Sequence, residues 1–317
     1  MEKLSSLGEF GLIDKIAEKL KDEPDERIVK GIGDDCAVVL EGETNILLTT
    51  DMLVEGDHFD REWQTPWQIG WKSVIVNISD IAAMGGIPEW GLISVAFPEE
   101  TTVPFADELM QGMVDASEEY GLKIIGGDTT HGDLLTINIA VTGKVDNDHL
   151  SLREDAESGD LICVSGDLGK SWAGLESLKA GKEGYTDFYL QPDCKLEVAR
   201  TIAPHVNAMI DVSDGLASEV THIADESGLG AEIEKDKIPI SKETTRTGET
   251  LNKDPLQWAL SGGEDFELVF TIPEERLDEI EEIEPIVVGK MTEEGRYLID
   301  PDGKKERLQG GYDHFDR

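Results

Sequence analysis

Seven aspartates stand at the ends of glycine-punctuated apolar runs: Asp34 and Asp35 in GIGDDCAVVL, Asp51 in LLTTDMLVEGDHF, Asp80 in VNISDIAAMGG, Asp128 in IIGGDTT, and Asp211 and Asp214 in IDVSDGL. Carboxylates in such places, beside Gly, Ser and Thr, are what Mg²⁺ and polyphosphate chemistry requires. Mg²⁺ takes hard oxygen ligands, commonly a few carboxylates together with substrate phosphates. Glycine lets the backbone come close to a phosphate. The pattern points to an enzyme that handles ATP with several metal ions.

Each cluster also has a plainer explanation. GIGDD could be a turn that caps a strand, and TTD at 49–51 a helix cap or Asx-turn. Asp80 falls in a helical pattern otherwise largely apolar on that side. An unpaired buried carboxylate there would be costly, so a cation partner is expected. GGDTT at 126–130 follows a buried-looking strand and has the form of a phosphate-approach turn. Strand alternation puts Asp211 and Ser213 on one face, whereas Asp214 could simply cap the next helix. Five such clusters together are hard to explain as caps. GDLGKS at 166–171 imitates the end of a phosphate-binding loop, but that loop needs a glycine where Val164 stands. A strand-to-helix turn, whose helix N-terminus attracts anions, is the remaining reading.

The absent motifs narrow the chemistry. His58, His131, His149, His205, His222 and His314 show no ligand spacing. No G-x-S-x-G, H-E-x-x-H or Cys pair suggests a covalent nucleophile or a zinc site. Phosphoryl transfer onto a phosphate needs no strong base, because the acceptor, with a second pKa of about 6, is already ionised near neutrality. Its obstacle is the charge of two polyanions, which divalent cations held by carboxylates neutralise.

The elements that must position these residues alternate between strand-like and helix-like along the whole chain, as in an α/β or mixed α+β protein. Residues 7–21 carry apolar positions at helical spacing, and AVVL and NILLTT read as paired short strands. PWQIGWKSVIVNISDIAAMG reads as a long helix; WGLISVAF, KIIGG and LLTINIAVTGKV read as strands, with the helix PFADELMQGMVDASEEYG among them. After Val145 the segment DNDHLSLREDAESGD is polar and turn-rich. A second series follows, including the strands DLICVSG, NAMIDVSD and IVVGK and the helices SWAGLESLKA, DGLASEVTHIADESG and EERLDEIEEI. Two domains are expected, residues 1–147 and 148–317.

A length of 317 residues permits two ordinary domains with ample core. With 39% apolar and 30% charged residues the composition fits a globular protein. No apolar run could span a bilayer, and the N-terminal stretch lacks the pattern of a signal peptide; a cytoplasmic protein is expected. Cys36, Cys163 and Cys194 lack metal spacing and read as reduced thiols, the first two in the core. The net charge of −40 argues against nucleic acid and anionic membranes as partners. The acids are dispersed, as in the coats of proteins from salt-in halophiles, where molar cations screen the self-repulsion.

In this order the motifs resemble those of the thiamine-monophosphate kinases, over nearly the whole chain: GEFGLI (8–13), GIGDDCAV (31–38), TTDMLVEGDHF (49–59), VNISDIAAMGG (76–86), GGDTT (126–130), IDVSDGL (210–216), LSGGEDFELVF (260–270) and GYDHF (311–315). The wider superfamily includes the aminoimidazole-ribonucleotide and selenophosphate synthetases and a hydrogenase-maturation protein. The resemblance implies an N-terminal half whose mixed sheet pairs across a homodimer, a C-terminal α/β half, and an active site in the cleft between them. It implies that Asp35, Thr49, Thr50, Asp51, Asp80, Asp128, Asp211 and Asp214 hold several Mg²⁺ ions, with Asp34 beside them. It implies further that Gly127, Asp128, Arg153 and Ser213 contact ATP, and that His58 and Glu264 meet thiamine monophosphate. The reaction implied is direct transfer of the γ-phosphate of ATP, giving thiamine diphosphate and ADP.

Two departures stand out. Gln309 occupies a place where the family often has Trp and offers no ring to stack there, and Tyr312 is the substitute contact. Asp57 replaces a commonly apolar residue in EGDHF. A sister synthetase is the alternative enzyme. No cysteine in the first 30 residues speaks against selenophosphate synthesis, and no C-terminal cysteine against hydrogenase maturation. A non-catalytic cation-binding protein would carry its acids on polar helix faces, as in EERLDEIEEIE, and not beside Gly, Ser and Thr.

Overall fold

A computed structural model describes residues 8–20, 25–182 and 184–312. After helix α1 (Gly8–Lys19), the first half builds a sheet from β1 (Ile28–Lys30), β2 (Ala37–Glu41), β3 (Thr44–Val54), β4 (Ile87–Phe97), β5 (Lys123–His131) and β6 (Thr136–Val145). Their spatial order is β1-β2-β3-β6-β4-β5. The sheet is mixed: β4 and β5 run parallel and the other neighbours antiparallel. Helices α2 (Pro66–Ala83) and α3 (Val103–Glu119) belong to this half.

Alternation along the strands gives the sheet two different faces. Leu47, Leu53, Ile93, Val95, Ile137 and Ile139 point inward and are buried. Leu48, Met52, Trp90 and Leu92 point outward, and each is 42–54% exposed. The register continues this outer face through Thr50, Asn138 and Asp128.

The second half forms a sheet in the order β13-β12-β9-β11-β7-β10-β8. Its strands are β7 (Leu161–Val164), β8 (Ala208–Asp211), β9 (Gly230–Glu234), β10 (Leu268–Ile272), β11 (Ile286–Thr292), β12 (Arg296–Ile299) and β13 (Lys305–Arg307). Helices α4 (Lys170–Lys179), α5 (Asp187–Leu190), α6 (Leu196–Ile202), α7 (Leu216–Glu226), α8 (Lys242–Leu251) and α9 (Pro255–Ser261) accompany it.

Helix α2 ties the halves together. It starts at a capping box in which Thr65 and Gln68 satisfy each other's backbone N–H groups. From Ile69 to Ala83 almost every residue is buried, on all sides of the helix. A helix apolar all round must lie inside the molecule. Here α2 packs on β3 and β6 of the first sheet and on β8 and α6 of the second half. One continuous core accordingly runs from Val38 and Ile139 through Ile78 to Met209 and Phe270.

Two local expectations change. GGDTT is no turn: after a bulge at Ile125, β5 continues through it to His131, paired with β4 residue by residue from Leu92 to Phe97. The acidic segment Glu274–Ile283 is 3-10 helix with a break at Ile280, not a regular α-helix. Of GYDHF, residues 313–315 lie outside the described residues.

Candidate active site

Three carboxylates from separate elements converge between the halves. Asp35 lies in the bend before β2, one residue ahead of Cys36, Asp80 lies in the last turn of α2, and Asp211 is the last residue of β8. Each offers an oxygen within 4.8 Å of the others. Thr49, on the inner face of β3, donates its hydroxyl to Asp80 Oδ2 at 2.5 Å, and Ser79 donates to Asp211 Oδ2 at 2.5 Å. The Asn77 side chain accepts the Asp51 N–H at 3.1 Å, which holds Asp51 beside this group.

Burial pushes the Asp80 carboxyl well above the usual range, and the charges of Asp51, Asp211 and Asp35 push it further. Asp211 is raised in the same way by burial and by Asp35. Asp34 is pushed up to about 7 by burial and by its neighbour Asp35. Arg153 offsets part of this charge: its guanidinium reaches Asp35 at 2.5 Å and Asp34 at 3.6 Å, and its backbone N–H donates to Asp34. Asp35 Oδ2 is buried without a hydrogen-bond partner. A carboxylate with one buried, unpartnered oxygen, grouped with two more carboxylates, fits a hard divalent cation, which accepts carboxylate ligands and relieves their repulsion.

Beside this group opens a cleft of about 590 Å³. Asp51 and His58 come from the first half; Ser213, Asp214, Glu264 and Tyr312 come from the second. His58 Nδ1 accepts the Val54 N–H at 3.1 Å, which leaves the ring proton of a neutral imidazole on Nε2. The turn 262–266 is laced to 212–213: the N–H groups of Glu264 and Phe266 donate to the carbonyls of Ser213 and Val212 at 2.8 and 3.0 Å. Position 263 must be glycine, since a Cβ there would lie 2.2 Å from the Ser213 carbonyl oxygen. Glu264 and Phe266 hold φ of 65° and 48°, left-handed conformations that side-chain-bearing residues keep only when their surroundings impose them.

The fold thus brings together Asp34, Asp35, Thr49, Asp51, Asp80, Arg153 and Asp211, and next to them His58, Ser213, Asp214, Glu264 and Tyr312. Three further groups stand elsewhere. Thr50 turns its side chain to the outer sheet face, where Asn138 donates to its hydroxyl at 2.9 Å, because neighbours in a strand point opposite ways. Gly127 and Asp128 lie on the exposed edge strand β5. Gly127 has a structural reason of its own, as a Cβ would meet the Ile93 carbonyl oxygen at 1.8 Å. Gln309 is exposed and outside the cleft lining. Asp214 does not cap α7; the N-cap is Gly215, and the Asp214 N–H donates to buried Glu219 at 2.7 Å.

Sequence reading missed Trp63, Trp172 and Tyr189 in the cleft wall, and Glu219 and Lys72 behind it. Tyr189 lies in a segment without such a motif; Trp172 directly follows GDLGKS and Trp63 follows EGDHF, and neither motif marked the ring beside it as part of a cleft wall. Lys72 carried one signal, a lone cation inside the apolar run of α2.

The family of AIR synthase related proteins matches both halves, its N-terminal domain over residues 33–145 and its C-terminal domain over residues 157–300. The chain is 38% identical to the thiamine-monophosphate kinase of Aquifex aeolicus, over 99% of this chain and 100% of that protein. It is 35% identical to the thiamine-monophosphate kinase of Haemophilus influenzae, over 98% of each. A solved structure of AaThiL complexed with AMPPCP and TMP superposes with a TM-score of 0.90 at 37% identity, covering 99% of each chain.

Proposed function

The chain belongs to the thiamine-monophosphate kinase family, and from that premise we propose that its cleft holds thiamine monophosphate beside a carboxylate site for Mg²⁺ and ATP. The protein is a phosphotransferase that phosphorylates thiamine monophosphate with ATP, giving thiamine diphosphate and ADP. One observation carries the assignment of the site: Asp35, Asp80 and Asp211, from three separate elements, converge beside the cleft, and Asp35 keeps one buried oxygen without a partner.

Bound there, Mg²⁺ ions would neutralise the facing phosphates and the developing charge of an in-line transfer. Asp35, Thr49, Asp51, Asp80, Asp211 and Asp214 would hold them, and Thr50 could contribute only its backbone oxygen. Arg153, now on Asp35, has the planar fork that suits phosphate oxygens. Ser213, in the cleft wall, is assigned to ATP, as are Gly127 and Asp128 from the edge strand. His58, with its proton on Nε2, suits a phosphate oxygen, whereas Glu264 suits the cationic thiamine rings. Tyr312 lines the same cleft, and Gln309 is assigned to the substrate from the exposed segment before it. No group need act as a general base, since the acceptor oxygen is already ionised.

We take residues 1–147 and 148–317 as the two domains and a homodimer, paired through the apolar outer face of the first sheet, as the working state. The net charge of −40 supports a cytoplasm rich in salt as the working environment. Among the described residues no helix is long and apolar enough to cross a membrane.

The test is ATP plus thiamine monophosphate with Mg²⁺ in molar KCl, with thiamine alone as control and products separated by chromatography. Thiamine diphosphate forming from the monophosphate alone is the expected result. A folded sample that consumes ATP without making it would overturn the reading.

A further inference from the structure

Lys72 lies on α2 with a side chain wholly removed from solvent. A buried ammonium is unfavourable unless it is paired and hydrogen-bonded. Its partners come from three different segments. The His58 carbonyl oxygen accepts from Nζ at 2.7 Å, Glu264 Oε1 lies 2.6 Å away, and the ring of Tyr189 presents its face with the centroid at 4.6 Å.

His58, Tyr189 and Glu264 all line the cleft, whereas Lys72 does not. The ammonium therefore stands behind the cleft wall and touches three residues that form it. Two of these belong to the second half of the chain, so Lys72 also fastens the halves at this point. Glu264 needs such fastening most, because its left-handed backbone must be imposed from outside. The Ser213 carbonyl holds its N–H, and Lys72 holds one carboxylate oxygen.

We infer that Lys72 is a positioning residue for substrate recognition. It fixes one Glu264 oxygen and the backbone of His58, so that the other Glu264 oxygen and the His58 ring meet the substrate already in place. The inference rests on the reading of the cleft as the thiamine monophosphate site. Thiamine offers an amino group and a thiazolium cation, both matched to a carboxylate. Ordering that carboxylate before binding lowers the entropy lost when substrate arrives. Arg would not replace Lys here, since its planar fork differs in shape from a compact ammonium.

The experiment compares wild type, Lys72→Met, Lys72→Arg, Glu264→Gln and the double variant Lys72→Met/Glu264→Gln, varying thiamine monophosphate and ATP separately. Lys72→Met is expected to raise the KM for thiamine monophosphate about 10-fold through lost preorganisation of one side chain, with the KM for ATP changed less than about threefold. The double variant is expected to be no worse than Glu264→Gln, because coupled residues are not additive. Multiplying effects, or equal rises in both KM values together with a lower melting temperature, would overturn the inference. If Lys72→Met does not fold, Lys72→Arg alone and on the Glu264→Gln background decides by the same rule. Wild-type enzyme that fails to turn over thiamine monophosphate removes the reading of the cleft itself. Turnover by wild type with additive variants removes only the role of Lys72.

Discussion

The guanidinium of Arg153 meets the carboxylate of Asp35 at 2.5 Å, a cation from the second half of the chain closing on an acid from the first. Asp34 shares the same cation, and the far oxygen of Asp35 has no partner. In the proposed site, Arg153 is the cation that a bound metal would replace on these acids.

Replacing Arg153 by Met leaves two buried carboxylates without their cation. The expected cost is on the order of 3 kcal/mol of folding stability, typical of breaking a buried pair by deleting one partner. Chaotrope unfolding with and without Mg²⁺ measures it, and Mg²⁺ should recover part of the loss. Equal losses in both conditions would show that Arg153 and the ion do not share those acids.

Asp80→Asn removes one charge from the three-carboxylate group and leaves the shape of the side chain. Turnover should drop by about 10²–10³-fold, as when one electrostatic contact to a developing charge is deleted. Far-UV circular dichroism should match wild type. Near-normal turnover at limiting Mg²⁺ would rule Asp80 out of the metal site.

The buried acids also set a dependence of stability on pH. Burial pushes Asp34 and Asp265 up to about 7 and Asp80, Asp211 and Glu219 well above the usual range. Each keeps its proton in the folded state where the unfolded chain has lost it, so folding is favoured at low pH and stability falls as pH rises. The Mg²⁺-free melting temperature should therefore decline from about pH 4, the ordinary carboxylate pKa, through about pH 7, where Asp34 and Asp265 lose their protons in the folded state. Saturating Mg²⁺ should flatten the decline. Asp211→Asn should remove part of it, which general repulsion from a net charge of −40 cannot explain. An identical slope in wild type and Asp211→Asn speaks for repulsion alone.

Met52 and Trp90 are 54% and 50% exposed on the outer face of the first sheet. Paired sheets would cover them. Met52→Lys with Trp90→Glu should convert a dimer into a monomer of 34.8 kDa in sedimentation velocity. A monomeric wild type at micromolar concentration would leave that face without the proposed partner.

Screening of the −40 charge predicts loss of structure at low salt. The Debye length grows from about 3 Å at 1 M to about 30 Å at 0.01 M, so dispersed acids repel one another across the surface only in the dilute case. Circular dichroism during dialysis from molar KCl tests this; a spectrum unchanged at 0.01 M sinks the halophile reading.

The sequence by itself marked the acids that the structure brings together, and most elements around them. Asp35, Asp51, Asp80 and Asp211 were legible because an acid beside Gly, Ser or Thr at the end of an apolar run is a local signal. Helix α2 was legible from its spacing, and the alternation of strands and helices from the hydropathy pattern. Only the tertiary structure decided which of these acids meet. Asp35, Asp80 and Asp211 lie up to 176 positions apart in the chain (211 − 35), and no local rule brings them within 4.8 Å. Thr50 and Asp128 carry the same local signal as Thr49 and Asp80, yet the strand register turns them to the outer face. Lys72 showed only as a cation in an apolar run, Trp172 only as the neighbour of GDLGKS, and Tyr189 gave no motif, because their roles come from packing between segments distant in sequence. Local residue type and spacing set what each position can do, whereas convergence depends on non-local burial, which one stretch of sequence does not encode.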